Sequence, residues 1–212
     1  MTVKNKNGRD ILLAMVDAIH ENKQYLGDID GLIGDGDHGM NMNKGFMLYK
    51  ERLGEDSTTF TEGLSELGTV LMNEIGGSMG PIYGTIFMEM ADAAEEKEDI
   101  SLEVFAKMLE AGLDGLYGIV DAREGDKTLV DTLSPCVKAV KDAAEEKMDY
   151  EQALDKMKEC AEKGKESTKD MVAMYGRASR LGERSRGVLD AGATSCCIIL
   201  KAMADGMKRV LE

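Results

Sequence analysis

Residues 30–43, DGLIGDGDHGMNMN, end one helical period and begin another. Before this break, Ile11, Leu12, Met15, Val16 and Ile19 follow the i, i+1, i+4, i+5, i+8 spacing that paints one face of a helix. After it, a second helical pattern starts near Gly39 and runs to Leu53. Inside the break, Asp30, Asp35, Asp37 and His38 fall within nine residues, interspersed with Gly31, Gly34, Gly36 and Gly39. Glycine permits positive φ and close backbone approach, so the carboxylates of Asp35 and Asp37 can turn towards a point that Asp30 reaches from the start of the loop. Three hard oxygen donors suit Mg²⁺ or Mn²⁺, which complete their shells with water and substrate phosphates. The calcium-loop pattern D-x-[DN]-x-[DN]-G-x5-E fails in both frames: from Asp28 it meets Leu32, Ile33 and Gly39, and from Asp35 it ends on Phe46. A solvated turn is the remaining alternative. The apolar Leu32 and Ile33 argue against it and predict a loop that is tucked in.

Outward from this stretch the periods stay helical. A third helix is expected after Thr61, with Leu64, Leu67, Val70 and Leu71 on one side and Gly76 and Gly77 at its end. Pro81 suits the first turn of a fourth helix reaching about Ala94. Ser101, with an imperfect capping box, opens a fifth that carries Leu102, Phe105, Leu109, Leu113 and Leu116. A sixth should follow Asp126, with Pro135 kinking it or falling in its first turns. A seventh is expected over residues 150–174 and an eighth over 192–211. No alternating β-branched run, internal repeat or linker interrupts the pattern. The expected fold is therefore all-α: eight antiparallel up-and-down helices in a bundle, forming a single domain over residues 1–212.

With 26 basic and 40 acidic residues, the chain carries a net charge of −14. This balance argues against nucleic acid or an anionic membrane as the partner, and it repels free phosphates unless metal ions bridge them. No apolar run is long enough to span a bilayer and no leader is evident, so the expected location is the cytoplasm. Cys136, Cys160, Cys196 and Cys197 show no C-x-x-C spacing and are read as reduced and structural. His20, on the first amphipathic helix, is read as a solvated side chain.

Glycines gather again in GGSMGPIYGT (76–85), EGDKTLVD (124–131) and GRASRLGERSRGVLDAGATS (176–195). In an up-and-down bundle alternate connections share one end, so all four glycine-rich stretches should meet on one rim. Helix N-termini there offer unpaired N–H groups to phosphate.

These four motifs, in this order and over nearly the whole chain, resemble the L subunit of dihydroxyacetone kinase, the nucleotide-binding subunit of the phosphoenolpyruvate-dependent enzyme. The resemblance implies a barrel of eight antiparallel helices with the nucleotide on one rim. It implies that Asp30, Asp35 and Asp37 hold two Mg²⁺ ions bridging the phosphates of ADP or ATP, and that His38, Gly39 and Asn41 face the nucleotide. The turn at Gly77, Ser78 and Met79 would approach the phosphates, Leu129 would pack on the adenine, Arg177 would supply a fixed positive fork, and Asp190 and Gly192 would close the rim. Without the family, Arg177, Arg184 and Arg186 read as surface charges, Arg184 as a local partner of Glu183, and Lys127 as a helix cap.

Three departures stand out. Met79 occupies the place of a family serine, Ile119-Val120-Asp121-Ala122 replaces R-G-K-A, and Asp190-Ala191-Gly192 replaces D-P-G.

The implied activity keeps the nucleotide as a coenzyme. A phosphohistidine-carrying subunit rephosphorylates the ADP, and the γ-phosphate passes to dihydroxyacetone on another, sugar-binding subunit. No catalytic nucleophile or base for the sugar is assigned to this chain. Two alternatives stay open: a free-standing, ATP-exchanging kinase domain with another acceptor, and an acidic helical regulatory module that senses nucleotide. Dihydroxyacetone versus a related sugar, and self-association as a homodimer, are left open too.

Overall fold

A computed structural model describes all 212 residues. Eight α-helices carry the architecture: α1 (Gly8–Ile33), α2 (His38–Leu53), α3 (Phe60–Glu74), α4 (Met79–Asp92), α5 (Leu102–Ile119), α6 (Val130–Glu145), α7 (Tyr150–Ser167) and α8 (Ala191–Arg209). Each packs against the next in sequence, and α8 packs back against α1. One hydrophobic core runs through all eight. The apolar face read from the first helix is the buried one: Ile11, Leu12, Met15, Val16 and Ile19 are fully enclosed.

Local chemistry sets the helix starts. Thr59 and Glu62 form a reciprocal capping box at α3. Ser101 caps α5 by accepting from the Val104 N–H, Asp149 caps α7, and Asp190 caps α8. Pro81 lies in the first turn of α4 as expected, while Pro135 lies in the second turn of α6, which continues through it to Glu145. All four cysteines are free thiols.

The structure corrects the sequence reading at four places. First, α1 continues to Ile33, so Asp30 stands on its last helical turn rather than in a loop. Second, Leu32 is 67% exposed and only Ile33 is buried, because consecutive residues on a helix point to different sides. Third, α7 stops at Ser167 instead of continuing to 174, and residues 168–190 hold only 3-10 turns, Thr168–Asp170 and Ala178–Ser185. Fourth, a two-residue ladder pairs β1 (Val3–Lys4) with β2 (Asp99–Ile100), where no strand was expected. It is too short to show a period of two in the sequence.

Candidate functional site

The connections α1–α2, α3–α4, α5–α6 and α7–α8 meet around one cavity of about 550 Å³. These are the four glycine-rich stretches. The cavity is lined by Asp30, Asp35, Asp37, His38, Asn41, Gly77, Ser78, Met79, Leu129, Arg177, Asp190 and Gly192. Gly39, expected to face the nucleotide, does not line it. A Cβ at Gly39 would lie 1.9 Å from the Lys23 carbonyl oxygen, so this glycine serves the close crossing of α2 over α1.

One wall is acidic. Ligand oxygens of Asp30, Asp35 and Asp37 lie within 4.8 Å of one another. Asp30 comes from the last turn of α1 and Asp37 is the N-cap residue of α2, so two helix ends fix the spacing. Asp30 Oδ2 also accepts the His38 N–H at 3.3 Å. The Asp37 carboxyl is pushed above its usual range by desolvation and then by the Asp35 charge. Three carboxylates gathered in this way repel one another, and a hard divalent cation is the species that offsets them. The donor set therefore fits Mg²⁺ or Mn²⁺.

Another part of the lining offers hydrogen-bond donors. Gly77 has φ of +76° and stands in open space, and the N–H groups of Gly77, Ser78 and Met79 donate to no acceptor within the chain. Ser78 is the N-cap residue of α4, yet its hydroxyl makes no cap bond. A phosphate at this end meets free N–H groups and the positive end of a helix dipole. Met79 packs its side chain on the core, so the family serine's hydroxyl is replaced by apolar contact.

Ile82, Val120, Ala122 and Leu129 add an apolar surface to the lining. Val120 lines the cavity and Asp121 does not, so the departure from R-G-K-A leaves this wall apolar.

Tyr83, Ser195 and Asp131 escaped the sequence reading. His38 is buried and its Nε2 lies 2.9 Å from Ser195 Oγ, which lies 2.7 Å from the Tyr83 hydroxyl. Tyr83 and Ser195 both also reach the Gly192 carbonyl. This network joins α2, α4 and α8 beneath the cavity, and burial lowers the His38 pKa to about 4. Asp131 accepts from the Gly125 and Thr128 N–H groups and so ties the α5–α6 turn. Lys127 is buried at 1% exposure with its ammonium on backbone carbonyls, including that of Thr168 at the end of α7. Its reading as a helix cap is thus correct in part, and burial holds its pKa below the ordinary value.

The α7–α8 segment closes the fourth side. Arg177 forms an ion pair with Asp35. Glu183 pairs with Arg186, at 3.0 Å, and not with Arg184. Asp190 caps α8 through the Ala193 N–H at 2.7 Å, and burial raises its pKa to about 6. His20 is exposed, as expected, and lies 2.9 Å from Asn43 Oδ1.

A carboxylate triad, a bare helix N-terminus and an apolar surface lining one cavity of an eight-helix bundle fit a divalent cation with an organic phosphate. The chain matches the DAK2 domain over residues 32–205 and belongs to that family. It is 39% identical over 186 residues to the ADP-binding subunit DhaL of PEP-dependent dihydroxyacetone kinase 1 from Listeria innocua, covering 87% of this chain and 88% of that protein. It is 36% identical over 191 residues to the ADP-binding subunit DhaL of the PEP-dependent dihydroxyacetone kinase of Escherichia coli, covering 89% and 90%. In fold it resembles the crystal structure of the dihydroxyacetone kinase from C. freundii in complex with AMP-PNP and Mg²⁺. That likeness has a TM-score of 0.67 at 21% identity and covers 97% of this chain and 34% of that one.

Proposed function

We propose that this chain is the nucleotide-binding phosphotransferase subunit of a phosphoenolpyruvate-dependent dihydroxyacetone kinase, acting in the cytoplasm. The observation that carries this reading is the meeting of the acidic triad, the bare N-terminus of α4 and the apolar Leu129 wall in one cavity. Asp30, Asp35 and Asp37 hold two Mg²⁺ ions, which neutralise and bridge the phosphates of ADP or ATP. The N–H groups at Gly77, Ser78 and Met79 receive the phosphates, Leu129 and Val120 flank the base, and His38 and Asn41 line the path between them. Asp190 and Gly192 act indirectly, by fixing the start of α8. Phosphoryl transfer of this kind rests on positioning and charge neutralisation, with little covalent work left to the protein.

The acceptor is held by a second subunit, and a phosphohistidine-bearing subunit restores ATP from the bound ADP. We assign their docking to the same rim. Leu32, Met40, Ile119, Met174 and Tyr175, all 43–67% exposed, belong to or border the connections around the cavity, and exposed apolar side chains of this kind support docking there.

Calorimetry with Mg-ADP tests the nucleotide reading. The wild-type chain is expected to bind, to release nucleotide on chelation of Mg²⁺, and to lose binding in Asp37→Asn while keeping its helicity. Bound ADP should raise stability by about 2.7 kcal/mol at a hundredfold excess over Kd. Undiminished binding in Asp37→Asn would overturn the metal assignment.

A further inference from the structure

The α7–α8 connection raises a packing problem. From Thr168 to Asp190 it contains no α-helix, and its only buried side chains are those of Thr168, Ala173 and Ser185. So little apolar burial does not offset the entropy of ordering a segment this long. At its centre stands a single charge instead. Lys127 Nζ donates to the carbonyls of Thr168 at 2.8 Å, Ser185 at 2.8 Å, Val188 at 2.5 Å and Met171 at 3.3 Å. An ammonium has three hydrogens, so four converging carbonyls surround it fully. They come from both ends of the segment and draw it into a closed loop, whose outer part carries Tyr175 and Arg177 to the cavity.

Lys127 is itself held firmly. Its backbone adopts φ of +60°, and the Asp131 carboxylate fixes the turn by accepting from Gly125 at 2.5 Å and Thr128 at 2.7 Å. The Met174 N–H returns a bond to the Asp126 carbonyl at 3.1 Å. The lysine therefore joins the connection that supplies Leu129 to the one that supplies Arg177. The G-D-K-T sequence invites a phosphate-binding role for this side chain, yet its ammonium is already surrounded by backbone oxygen.

We propose that Lys127 is the positioning residue of the nucleotide rim: its ammonium, caged by four main-chain carbonyls, holds the 168–188 segment in the shape that presents Arg177 and Tyr175 to the ligand. The inference rests on the nucleotide reading above. Removing the charge leaves four carbonyls directed at an empty centre, which favours release of the segment and loss of preorganisation. The same cage should accept a small ammonium ion supplied from solution.

The test uses the full chain as wild type, Lys127→Met and Lys127→Ala. Hydrogen exchange is followed without ligand, and Mg-ADP affinity is measured by calorimetry. Both variants are expected to keep wild-type helicity, to exchange faster only within residues 168–188, and to bind Mg-ADP about tenfold more weakly or worse. Ethylammonium should restore protection and affinity in Lys127→Ala and change neither in the wild type. Unchanged exchange, unchanged affinity or absence of rescue would overturn the role of the charge. Loss of helicity throughout would overturn it too, since Lys127 would then govern the bundle and not the rim. A wild-type chain that fails to bind Mg-ADP would instead overturn the nucleotide reading, and the exchange and rescue of residues 168–188 would still judge Lys127.

Discussion

Arg177 and Asp35, which both line the cavity, form an ion pair that joins the segment before α8 to the turn between α1 and α2. Asp35 also belongs to the carboxylate triad, so the pair and a bound cation compete for one carboxylate. Arg177 is 65% exposed, and exposed pairs contribute only ~0–1 kcal/mol. Arg177→Ala should therefore leave the stability of the metal-free protein within about 1 kcal/mol of wild type. Free Mg²⁺ should bind more tightly, because a competing positive charge is gone. Mg-ADP should bind more weakly, because the same guanidinium faces the phosphates once the cation releases it. Calorimetric titrations with Mg²⁺ alone and with Mg-ADP check the two signs, and equal shifts in one direction would refute the competition.

Burial of His38 gives a pH dependence whose sign is set by its lowered pKa. The unfolded chain takes up this proton near pH 6.5, whereas the folded chain does so only near pH 4. Between these values the unfolded state binds more protons, so folding stability falls as the pH is lowered from 6.5 towards 4 and is fully present above 6.5. The size of the effect is about 3 kcal/mol at most. Asp190, raised to about 6 by burial, acts in the opposite sense. The His38 share is therefore the difference between wild type and His38→Gln in denaturant titrations of the metal-free protein at pH 7 and pH 4.5, where wild type should lose more stability on acidification than the variant. An imidazole NMR titration with a midpoint near 6.5 in the folded protein would contradict the assignment.

What the amino-acid sequence made legible, and what it hid, follows from the range of the interactions. The eight helices were visible because each carries an apolar stripe whose period does not depend on its partners. The Asp30, Asp35 and Asp37 cluster was visible because its members lie close in sequence. The end of α1 was obscured by Gly31 and Gly34, which read as a loop although Gly31 lies inside the helix. The end of α7 was overestimated because residues 168–174 contain no glycine or proline to mark the stop. Ser195, which lies 157 positions from His38 and 112 from Tyr83 along the chain, had no local signal at all. Lys127 read only as a helix cap, and its cage was hidden because the carbonyls that form it lie 41 to 61 positions away.

Two glycines of the rim separate packing from ligand binding. Gly39 meets the Lys23 carbonyl and the Gly27 nitrogen, so Gly39→Ala must push α2 away from α1. Overpacking of this kind costs about 1–3 kcal/mol or more, and thermal unfolding should show it without any ligand present. Gly77 has open space around it and a left-handed backbone, so Gly77→Ala should cost only about 1–2 kcal/mol of local strain. Its larger effect should fall on Mg-ADP affinity, through rotation of the free N–H groups beside it. A Gly39→Ala protein as stable as wild type would remove the crossing argument.

The last expectation concerns what this chain does not do by itself. Transfer to a sugar needs a hydroxyl aligned with the γ-phosphate, since positioning supplies much of the rate. The carboxylates and the imidazole around the cavity are engaged in the acidic triad, the His38–Ser195–Tyr83 network and the Asp190 cap, and the lysine in its carbonyl cage. None is left facing the cavity as a base for the sugar. The purified chain with Mg-ATP and dihydroxyacetone should therefore form no sugar phosphate. Product should appear when the sugar-binding subunit is added, and it should continue over many turnovers only with the phosphohistidine-bearing subunit present. Met174→Asp and Leu32→Asp place charge on exposed apolar positions of the rim, so they should leave Mg-ADP affinity within about twofold while suppressing the reconstituted rate about tenfold or more, the usual scale for removing an apolar anchor from the centre of an interface. A reconstitution assay with partners added one at a time reads each step. Sustained turnover by the isolated chain on free ATP would replace the subunit reading with that of a self-sufficient kinase, and full activity of both aspartate variants would move the docking surface away from this rim.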